Sequence, residues 1–229
     1  MAKQNQQEEL EERINNDVQE SISKTEEFIE NNGKKLLVAL IAIIVIILGI
    51  WSAKKFIFDK RIERAQQEMV VCTQYFERDS FNLALNGDGV NAGFLDIIDQ
   101  YGSTKVGKLA RQYAGVCYYN LGQYDDAIDC LKKVNSKSKD LNTVAVGLIG
   151  DCYADKGDVK EAISYFEKAA SDNNEFTAPI YLKKAALAYE AQGNFEKAAE
   201  YYQKIKDEFP KSQVAVDIDR YLERAKASK

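Results

Sequence analysis

Apolar residues are distributed in two different ways along the chain. Residues 36–51 read LLVALIAIIVIILGIW, and with residues 52 and 53 they form eighteen uncharged residues between Lys35 and Lys54. At ~1.5 Å of rise per residue, a helix of this length covers about 27 Å, close to the hydrocarbon thickness of a bilayer. From about residue 105 onward, apolar positions instead recur at helical spacing among charged ones. The pattern predicts one membrane-spanning helix, residues 34–55, followed by an all-α domain.

Two alternative interpretations of the apolar run are a helix buried in a soluble core and a cleaved signal peptide. A helix that is apolar on every side needs more covering protein than this chain offers. Cleavage of a signal peptide requires small residues one and three positions before the cut. Trp51 stands third before a cut after Ala53, and Ile47 stands third before a cut after Gly49. We therefore expect an uncleaved anchor.

Residues 1–33 form a strongly acidic tail, with nine acidic and three basic residues. The apolar residues of this tail recur every four positions, at Leu10, Ile14, Val18 and Ile22. A solvated tail and an amphipathic helix that docks on a partner both agree with this composition. After the span, residues 56–85 are rich in charged residues and helix formers, and they predict a juxtamembrane helix. A loop with two glycines follows it at residues 86–89.

Three segments of the chain repeat one pattern, with a period of 35 and then 36 residues. They read AGVCYYNLGQYDDAIDCLKKV from Ala114, IGDCYADKGDVKEAISYFEKA from Ile149 and AALAYEAQGNFEKAAEYYQKI from Ala185. Each segment contains a small residue, a tyrosine, a glycine, an alanine and a large residue at matching places. These residues are Gly115, Gly150 and Ala186; Tyr118, Tyr153 and Tyr189; Gly122, Gly157 and Gly193; Ala127, Ala162 and Ala198; Leu131, Phe166 and Tyr202.

This spacing predicts a helical hairpin in each segment. The glycine ends the first helix and allows a tight turn, while the small residue lets the two helices approach closely. Asp158 and Asn194 follow the turn glycines and can cap the second helix, and Glu161 would complete a capping box with Asp158. Each hairpin alone would expose an apolar face, so the hairpins are expected to stack.

These repeated residues resemble the tetratricopeptide repeat (TPR) family. The resemblance covers residues 105–210 in three clear copies, and we expect a degenerate copy at residues 71–104. Residues 213–226 predict a terminal helix over the last repeat, so the repeat domain would span residues 71–229. Its apolar face would carry Val214, Ile218, Leu222 and Ala225. The expected fold class is an all-α solenoid behind a single N-terminal transmembrane helix.

The composition argues against catalysis and against nucleic-acid binding. The chain has no histidine, which removes the commonest general base and the commonest neutral metal ligand. A net charge of −5 offers no basic surface of the kind that nucleic acids require. The four cysteines lack the paired spacing of a zinc site, and we expect buried free thiols. We predict a protein that is not an enzyme, with no cofactor, metal or small-molecule substrate.

The resemblance implies a groove lined by the first helix of each repeat, suited to a peptide or a partner helix. Tyr119 is the best candidate for an aromatic anchor of this groove, and the alternative is that it only packs against the neighbouring hairpin. Family members that clamp a chaperone's C-terminal carboxylate use Lys and Asn here, whereas this chain has Val116, Asp151 and Leu187 after the small residues. We therefore expect a mixed groove that binds proteins or peptides. Its predicted residues are Gln112, Val116, Tyr119, Asn120, Asp151, Asp155, Lys183, Leu187 and Glu190.

The order of the segments also resembles the YfgM-type ancillary subunits of the bacterial Sec translocon. That resemblance implies a cytoplasmic tail, one inner-membrane span and a periplasmic repeat domain that assists the translocon or periplasmic chaperones. The positive-inside rule points the other way, because more basic residues follow the span than precede it. Long domains cross membranes largely regardless of charge, so we expect the periplasmic orientation. A cytoplasm-facing membrane-tethered scaffold and an envelope-assembly or division adaptor are the alternatives.

Overall fold

The computed structural model describes the backbone of residues 2–228 and the side chains of residues 19, 23, 32–35 and 37–228. Every regular element in this range is helical, which confirms the all-α class. The apolar seam predicted in the acidic tail lies outside the described side chains. The elements are α1 (Ala2–Glu77), α2 (Phe81–Asn86), α3 (Phe94–Tyr101), α4 (Lys105–Asn120), α5 (Tyr124–Lys132), α6 (Lys139–Asp155), α7 (Val159–Ala170), α8 (Ala178–Ala191), α9 (Phe195–Glu208), a 3₁₀ turn (Gln213–Asp217) and α10 (Ile218–Ala227).

The chain divides into two compact units, Met1–Asp59 and Lys60–Lys229. Among the described residues, one helical stretch, Asn32–Glu77, is long and apolar enough to cross a membrane. No part of its most apolar window is buried, and Val38 and Trp51, for example, are 65% and 62% exposed. The predicted apolar helix is therefore present, and a lipid environment would remove its exposed surface from water.

Three helical hairpins form the centre of the unit Lys60–Lys229: α4 with α5, α6 with α7, and α8 with α9. Each helix packs against the next one along the chain, so the second helix of one hairpin also contacts the first helix of the following hairpin. Each hairpin turn contains a glycine with positive φ, which is 73° at Gly122, 85° at Gly157 and 75° at Gly193. Glycine adopts this backbone without steric cost. The predicted repeat turns are confirmed.

The two predicted helix caps have different outcomes. The side chain of Asn194 accepts a hydrogen bond from the backbone N–H of Lys197 at 3.1 Å, which confirms it as a cap. Asp158 precedes α7 but makes no capping hydrogen bond with its side chain, so the predicted capping box with Glu161 is wrong. The backbone angles of both residues are similar, with ψ of 69° and 62°. The difference therefore lies in the side-chain orientation.

The small residues lie where the two helices of a hairpin touch. A Cβ atom added at Gly150 would stand 2.6 Å from the ring of Phe166, and one added at Gly115 would stand 2.5 Å from Leu131. Such distances are shorter than any van der Waals contact, so glycine is required for the observed packing. In the third hairpin Ala186 takes this place and is fully buried.

The degenerate first repeat consists of the end of α1 together with α2 and α3. Helix α1 ends and α2 begins on either side of Asp79, which adopts a φ of 56°. The backbone N–H groups of Asp79 and Ser80 donate to the carbonyls of Phe76 and Tyr75, as those of Gly122 and Gln123 donate to Tyr119 and Tyr118, so Asp79 takes the place of the turn glycine. Gly87 ends α2 with a φ of 78°. Phe94 of α3 is fully buried. This hairpin packs on α4, because both α2 and α3 contact that helix.

The terminal helix α10 packs against α9. Ile218, Leu222 and Ala225 are buried on its inner face, and Val214 in the preceding 3₁₀ turn is half-buried. The prediction that a last helix covers the third clear repeat is thus confirmed. The covering face follows from the spacing of these residues, which recur at intervals of three or four.

Candidate partner-binding face

The nine predicted groove residues all lie on the first helices of the three hairpins. We call this set the first-helix face. Helix α4 carries Gln112, Val116, Tyr119 and Asn120; α6 carries Asp151 and Asp155; and α8 carries Lys183, Leu187 and Glu190. Most of these side chains are partly exposed rather than buried in the core.

Side-chain hydrogen bonds connect the first helices of neighbouring repeats. The hydroxyl of Tyr119 on α4 donates to the Oδ2 atom of Asp155 on α6 at 2.7 Å. The ammonium group of Lys184 on α8 donates to both carboxylate oxygens of Asp151 on α6, each at 2.7 Å. The first-helix face therefore connects three consecutive repeats through polar contacts.

The same arrangement continues from α8 to the end of the chain. Lys183 donates to Asp217 at 3.2 Å, and its ammonium nitrogen lies 4.1 Å from the centre of the Tyr221 ring. Glu190 accepts from the guanidinium group of Arg224 on α10. The terminal helix thus takes the position that the first helix of a further repeat would occupy.

These contacts change the acidity of two groups on the face. The hydrogen bond to Asp155 and burial raise the pKa of the Tyr119 hydroxyl, which keeps it protonated as a donor. Burial raises the pKa of the Asp151 carboxyl above its ordinary value, and the neighbouring Lys184 offsets only part of that rise. Desolvation of Asp151 therefore outweighs its ion pair, as expected for a partly buried charge.

Tyr119 occupies a different environment from the one expected of an anchor. Its ring lies 5.8 Å from the ring of Tyr124, and it packs on the core formed around Ile149 and Leu131. Its side chain is already engaged in the contact between repeats. Leu187 is the more accessible apolar group on the face, since it is 40% exposed.

Two amide side chains of the face differ in their hydrogen bonding. Asn120 donates to the backbone carbonyl of Val116, one turn back on the same helix, at 2.8 Å. The Oε1 atom of Gln112 is buried and accepts no hydrogen bond from the described residues. An unsatisfied buried acceptor is costly to stability.

The charged partners of the first-helix face were missed by the sequence analysis. Lys184, Asp217 and Arg224 each bond to a predicted face residue that lies 33 or 34 positions earlier. A search for opposite charges one repeat apart could have suggested such pairs. It could not have separated Lys183 from Lys184, which are neighbours in sequence.

The cysteines are free thiols, as expected. Cys72, Cys117 and Cys152 are buried and Cys130 is half-buried. Burial raises the pKa of Cys72 to about 11, and those of Cys117 and Cys152 to about 12. Protonated thiols of this kind are poor nucleophiles and poor metal ligands. No group of three or more acidic or cysteine side chains that could hold a metal occurs within the described residues.

Comparison with known proteins agrees with the repeat register. The profile of the tetratricopeptide repeat family matches residues 118–178 and 149–212. Residues 118–212 of this chain are therefore similar to tetratricopeptide repeats. No curated protein matches the chain at a significant level.

Two solved structures share this fold at low sequence identity. One contains the nearly identical TPR-like repeats of a Podosopora anserina putative kinesin light chain, at 15% identity and a TM-score of 0.56. The match covers 72% of this chain and 86% of the kinesin light chain structure. The other is MamA, at 18% identity and a TM-score of 0.52. That match covers 72% of this chain and 91% of the MamA chain. The part of the chain that these structures cover is thus an all-helical TPR-like solenoid.

Proposed function

We propose that the protein is a membrane-anchored adaptor whose first-helix face binds a segment of another protein. The observation that carries this proposal is an accessible apolar side chain, Leu187, on a face whose charged groups already have partners in the neighbouring helices. Apolar groups ringed by polar ones are typical of protein-binding surfaces.

An interaction role agrees better with this face than a catalytic one. Lys183, Lys184 and Arg224 are each paired with a carboxylate. General acid–base catalysis requires a group that can reach the substrate and exchange a proton near neutral pH. The paired lysines and the protonated thiols do not meet that requirement. We infer that binding energy, and not chemistry, is what the face contributes.

The membrane anchor in this proposal is the apolar helix at residues 34–55, with residues 1–33 as a tail and the repeat domain starting near residue 71. Carbonate extraction of membranes tests it. The full chain is expected in the pellet, because about eighteen apolar residues bind the bilayer core strongly. Recovery in the supernatant would contradict the anchor.

The resemblance to YfgM-type subunits supports a more specific proposal. The protein would reside in the bacterial inner membrane, with a cytoplasmic tail and a periplasmic repeat domain that assists the Sec translocon or periplasmic chaperones in handling exported proteins. The distribution of basic residues favours the alternative, a cytoplasm-facing scaffold. Near the span, three lysines precede it and five bases follow it: Lys24, Lys34 and Lys35, then Lys54, Lys55, Lys60, Arg61 and Arg64.

Labelling of one engineered thiol distinguishes the two orientations. Val90 is 92% exposed, so Val90→Cys places a reactive thiol on the surface of the repeat domain. The four native cysteines are expected to give little background, because three of them are buried and the pKa of every one is raised. A membrane-impermeant maleimide should label intact spheroplasts of the variant if the domain is periplasmic. Labelling only after lysis would support the cytoplasmic scaffold.

Crosslinking tests the partner-binding face itself. Leu187→Ser removes an accessible apolar side chain and is expected to reduce crosslinks to Sec components or periplasmic chaperones, with little change in melting temperature. Leu121→Ser is the matched control, because Leu121 is also 40% exposed but lies outside the face. Equal crosslinking of the two variants and the wild type would contradict the proposed face.

A further inference from the structure

Basic side chains are concentrated along one edge of the repeat domain. Residues 102–111 and 131–139 contain seven basic residues and no acidic one, although the whole chain has 31 basic and 36 acidic residues. The acidic residues that flank these segments, Asp99, Asp129 and Asp140, leave a clear positive excess. We call six of the lysines the basic edge: Lys105, Lys108, Lys132, Lys133, Lys137 and Lys139.

Both segments include a loop that leads into the first helix of a hairpin, α4 or α6. These loops lie at the same edge because successive helices of the solenoid run in opposite directions. Arg111 of α4 donates to the backbone carbonyl of Gly102 at 3.1 Å. The thiol of Cys130, near the end of α5, donates to the backbone carbonyl of Arg111 at 3.4 Å. The lysines of the two segments therefore contribute to one surface.

The opposite edge, formed by the three hairpin turns, lacks this excess of positive charge. Residues 121–126, 156–161 and 192–197 contain three basic and five acidic residues. The loop before α8, at residues 171–177, contains Asp172 and Glu175 but no basic residue. The positive charge is thus concentrated at the loops before α4 and α6.

Most lysines of the basic edge have no acidic partner, in contrast to the paired lysines of the first-helix face. Five of the six are exposed and Lys108 is half-buried. Within the part of the chain that the structure describes, the one ion pair of this set joins Lys139 to Asp172 at 3.8 Å, and the Lys139 side chain stays 85% exposed. The other ammonium groups are available to a negatively charged partner.

The position of these loops along the chain favours the membrane as that partner. The guanidinium group of Arg61 donates to the backbone carbonyl of Gln100 at 2.6 Å, which ties the loop before α4 to this point of α1. Arg61 follows Lys54, where the apolar run ends, by seven residues. Seven residues reach at most about 25 Å even when fully extended. When the apolar run lies in a bilayer, the chain therefore keeps this loop near the headgroups.

The chemistry of the basic groups also agrees with lipid headgroups. Arginine gives rigid, bidentate recognition of one anion, whereas lysine is a mobile point charge. All six members of the basic edge are lysines, and they are distributed over two loops. Lysines near an anionic bilayer strengthen binding by about fivefold each at moderate ionic strength. Such a surface is suited to many mobile negative charges.

We propose that the basic edge binds the anionic headgroups of the membrane in which the protein is anchored. This inference rests on the anchor in the proposed function and adds a second contact with the same bilayer. The contact holds this edge of the repeat domain at the membrane surface, while the first-helix face remains available to a protein partner.

Fluorescence energy transfer measures this contact with the full chain in lipid nanodiscs. Asn135→Cys places a donor fluorophore in the exposed loop before α6, and Gln192→Cys places one at the exposed opposite edge. The acceptor is attached to a lipid headgroup. We expect higher transfer from residue 135 in nanodiscs with phosphatidylglycerol than in nanodiscs of phosphatidylcholine alone, and lower transfer from residue 192 than from residue 135. Equal transfer from residue 135 in the two lipids would overturn the proposal.

Charge-neutralising variants locate the contact. The triple variant Lys132→Gln, Lys133→Gln and Lys137→Gln should lower the ratio of docked to undocked domains by up to about a hundredfold. Its control makes the same change in net charge at exposed lysines off the basic edge, with Lys160→Gln, Lys197→Gln and Lys226→Gln. Melting temperatures equal to that of the wild type show that both variants are folded. An equal loss of transfer in both would reflect net charge alone and would overturn the assignment to this edge.

Salt provides a second measurement that requires no variant. High salt shortens the Debye length and should abolish the increase in transfer that phosphatidylglycerol causes. An increase that persists at high salt would show that headgroup charge is not the source of the attraction.

The failures of this proposal and of the proposed function are distinguishable. A chain that pellets after carbonate extraction but shows no lipid-dependent transfer keeps its anchor and loses the proposed contact. A chain recovered in the supernatant loses both. If transfer does not depend on lipid charge and only the edge variant loses crosslinks to a partner protein, the basic edge binds an acidic segment of that protein instead of lipid.

Discussion

The degenerate first repeat and the three regular repeats, which are the hairpins of α4 to α9, bury their aromatic residues in different ways. In the first repeat, Phe94 stacks on Tyr113 with ring centres 5.3 Å apart, and Phe76 meets Tyr113 edge-on at 5.0 Å. In the regular hairpins, a tyrosine of the first helix pairs with one of the second. Tyr153 lies 5.3 Å from Tyr165, and Tyr189 lies 5.4 Å from Tyr201.

The Tyr153–Tyr165 pair recurs as Tyr189–Tyr201 one repeat later, whereas Cys130 stands at the second position in the hairpin of α4 and α5. The phenol groups of Tyr189 and Tyr201 also bond to one carboxylate, Glu167, at 2.8 and 2.5 Å. In the first repeat, the hydroxyl of Tyr75 donates to Asp88 at 2.7 Å, and phenylalanine rings pack against Tyr113 of α4. An array can thus keep its stacking geometry after one unit has lost the repeated residues, provided that the apolar volume between helices is filled.

The largest predicted effect compares the two cores directly. Phe94→Ala and Phe166→Ala should each lower the free energy of unfolding by about 3–5 kcal/mol, because both side chains are buried. Hydrogen exchange should show faster opening of α2–α4 in the first variant and of α6–α8 in the second, since repeats contact only their neighbours. Phe176→Ala, at an exposed position, should leave stability nearly unchanged. If all of these helices lost protection from hydrogen exchange equally in both variants, the two cores would not open independently of each other.

The next effect tests the close approach of the two helices at the small residue of a regular repeat. Gly150→Leu should lower the free energy of unfolding by about 1–3 kcal/mol, because the new side chain overlaps the Phe166 ring. Gly150→Ala should cost less, since Ala186 occupies this place in the third repeat. Denaturant unfolding measures both. An unchanged midpoint for the leucine variant would mean that the repeat register is wrong.

A smaller, pH-dependent effect belongs to the hydrogen bond between α6 and α8. The raised pKa of Asp151 means that its ionised form costs stability above that pKa, and that the cost disappears as the pH falls through it. Asp151→Asn lacks this cost. Its stability relative to the wild type should therefore be more favourable at pH 7 than near pH 4.

Thermal melts across this pH range measure the difference. Lys184→Ala removes the group that partly offsets the burial of Asp151. In that variant, stability should fall more steeply as the pH rises than it does in the wild type. A relative stability of Asp151→Asn that does not change with pH would show that Asp151 is not desolvated.

The smallest effect concerns the turn between α1 and α2 in the first repeat. Asp79 has a φ of 56°, a left-handed conformation that costs most residues about 1–2 kcal/mol. Asp79→Gly should relieve that strain but also increases the entropy of the unfolded chain, so the net gain should be at most about 1 kcal/mol. Asp79→Ala should instead be destabilising. If Asp79→Ala were more stable than Asp79→Gly in denaturant unfolding, the left-handed conformation at residue 79 would be contradicted.

The sequence was most informative where residues repeat. The period of 35 or 36 residues identified the hairpins, the turn glycines and the terminal helix, because each repeat must satisfy the same packing and turn geometry. The turn of the first repeat was not recognised, because an aspartate, Asp79, replaces the glycine and stands 43 residues before Gly122, outside the repeat period.

Side-chain partners were less predictable than the helices that carry them. Tyr119 was expected to be an anchor for a partner, but its hydroxyl bonds to Asp155 in the next repeat. The capping box at Asp158 did not form, although Asn194 with nearly the same backbone forms its cap. The assignment of the nine face residues to a binding groove stays a prediction.

By itself the sequence determined the all-α class, the apolar helix, the repeat boundaries and the turns, because these depend on local spacing and on backbone preferences. Only the tertiary structure decided which charges pair on the first-helix face. Lys183 and Lys184 are adjacent, yet the former bonds to Asp217 and the latter to Asp151. Neighbouring residues on a helix point about 100° apart, so the rotation of each helix against the next selects the partner, and that rotation is set by packing between repeats.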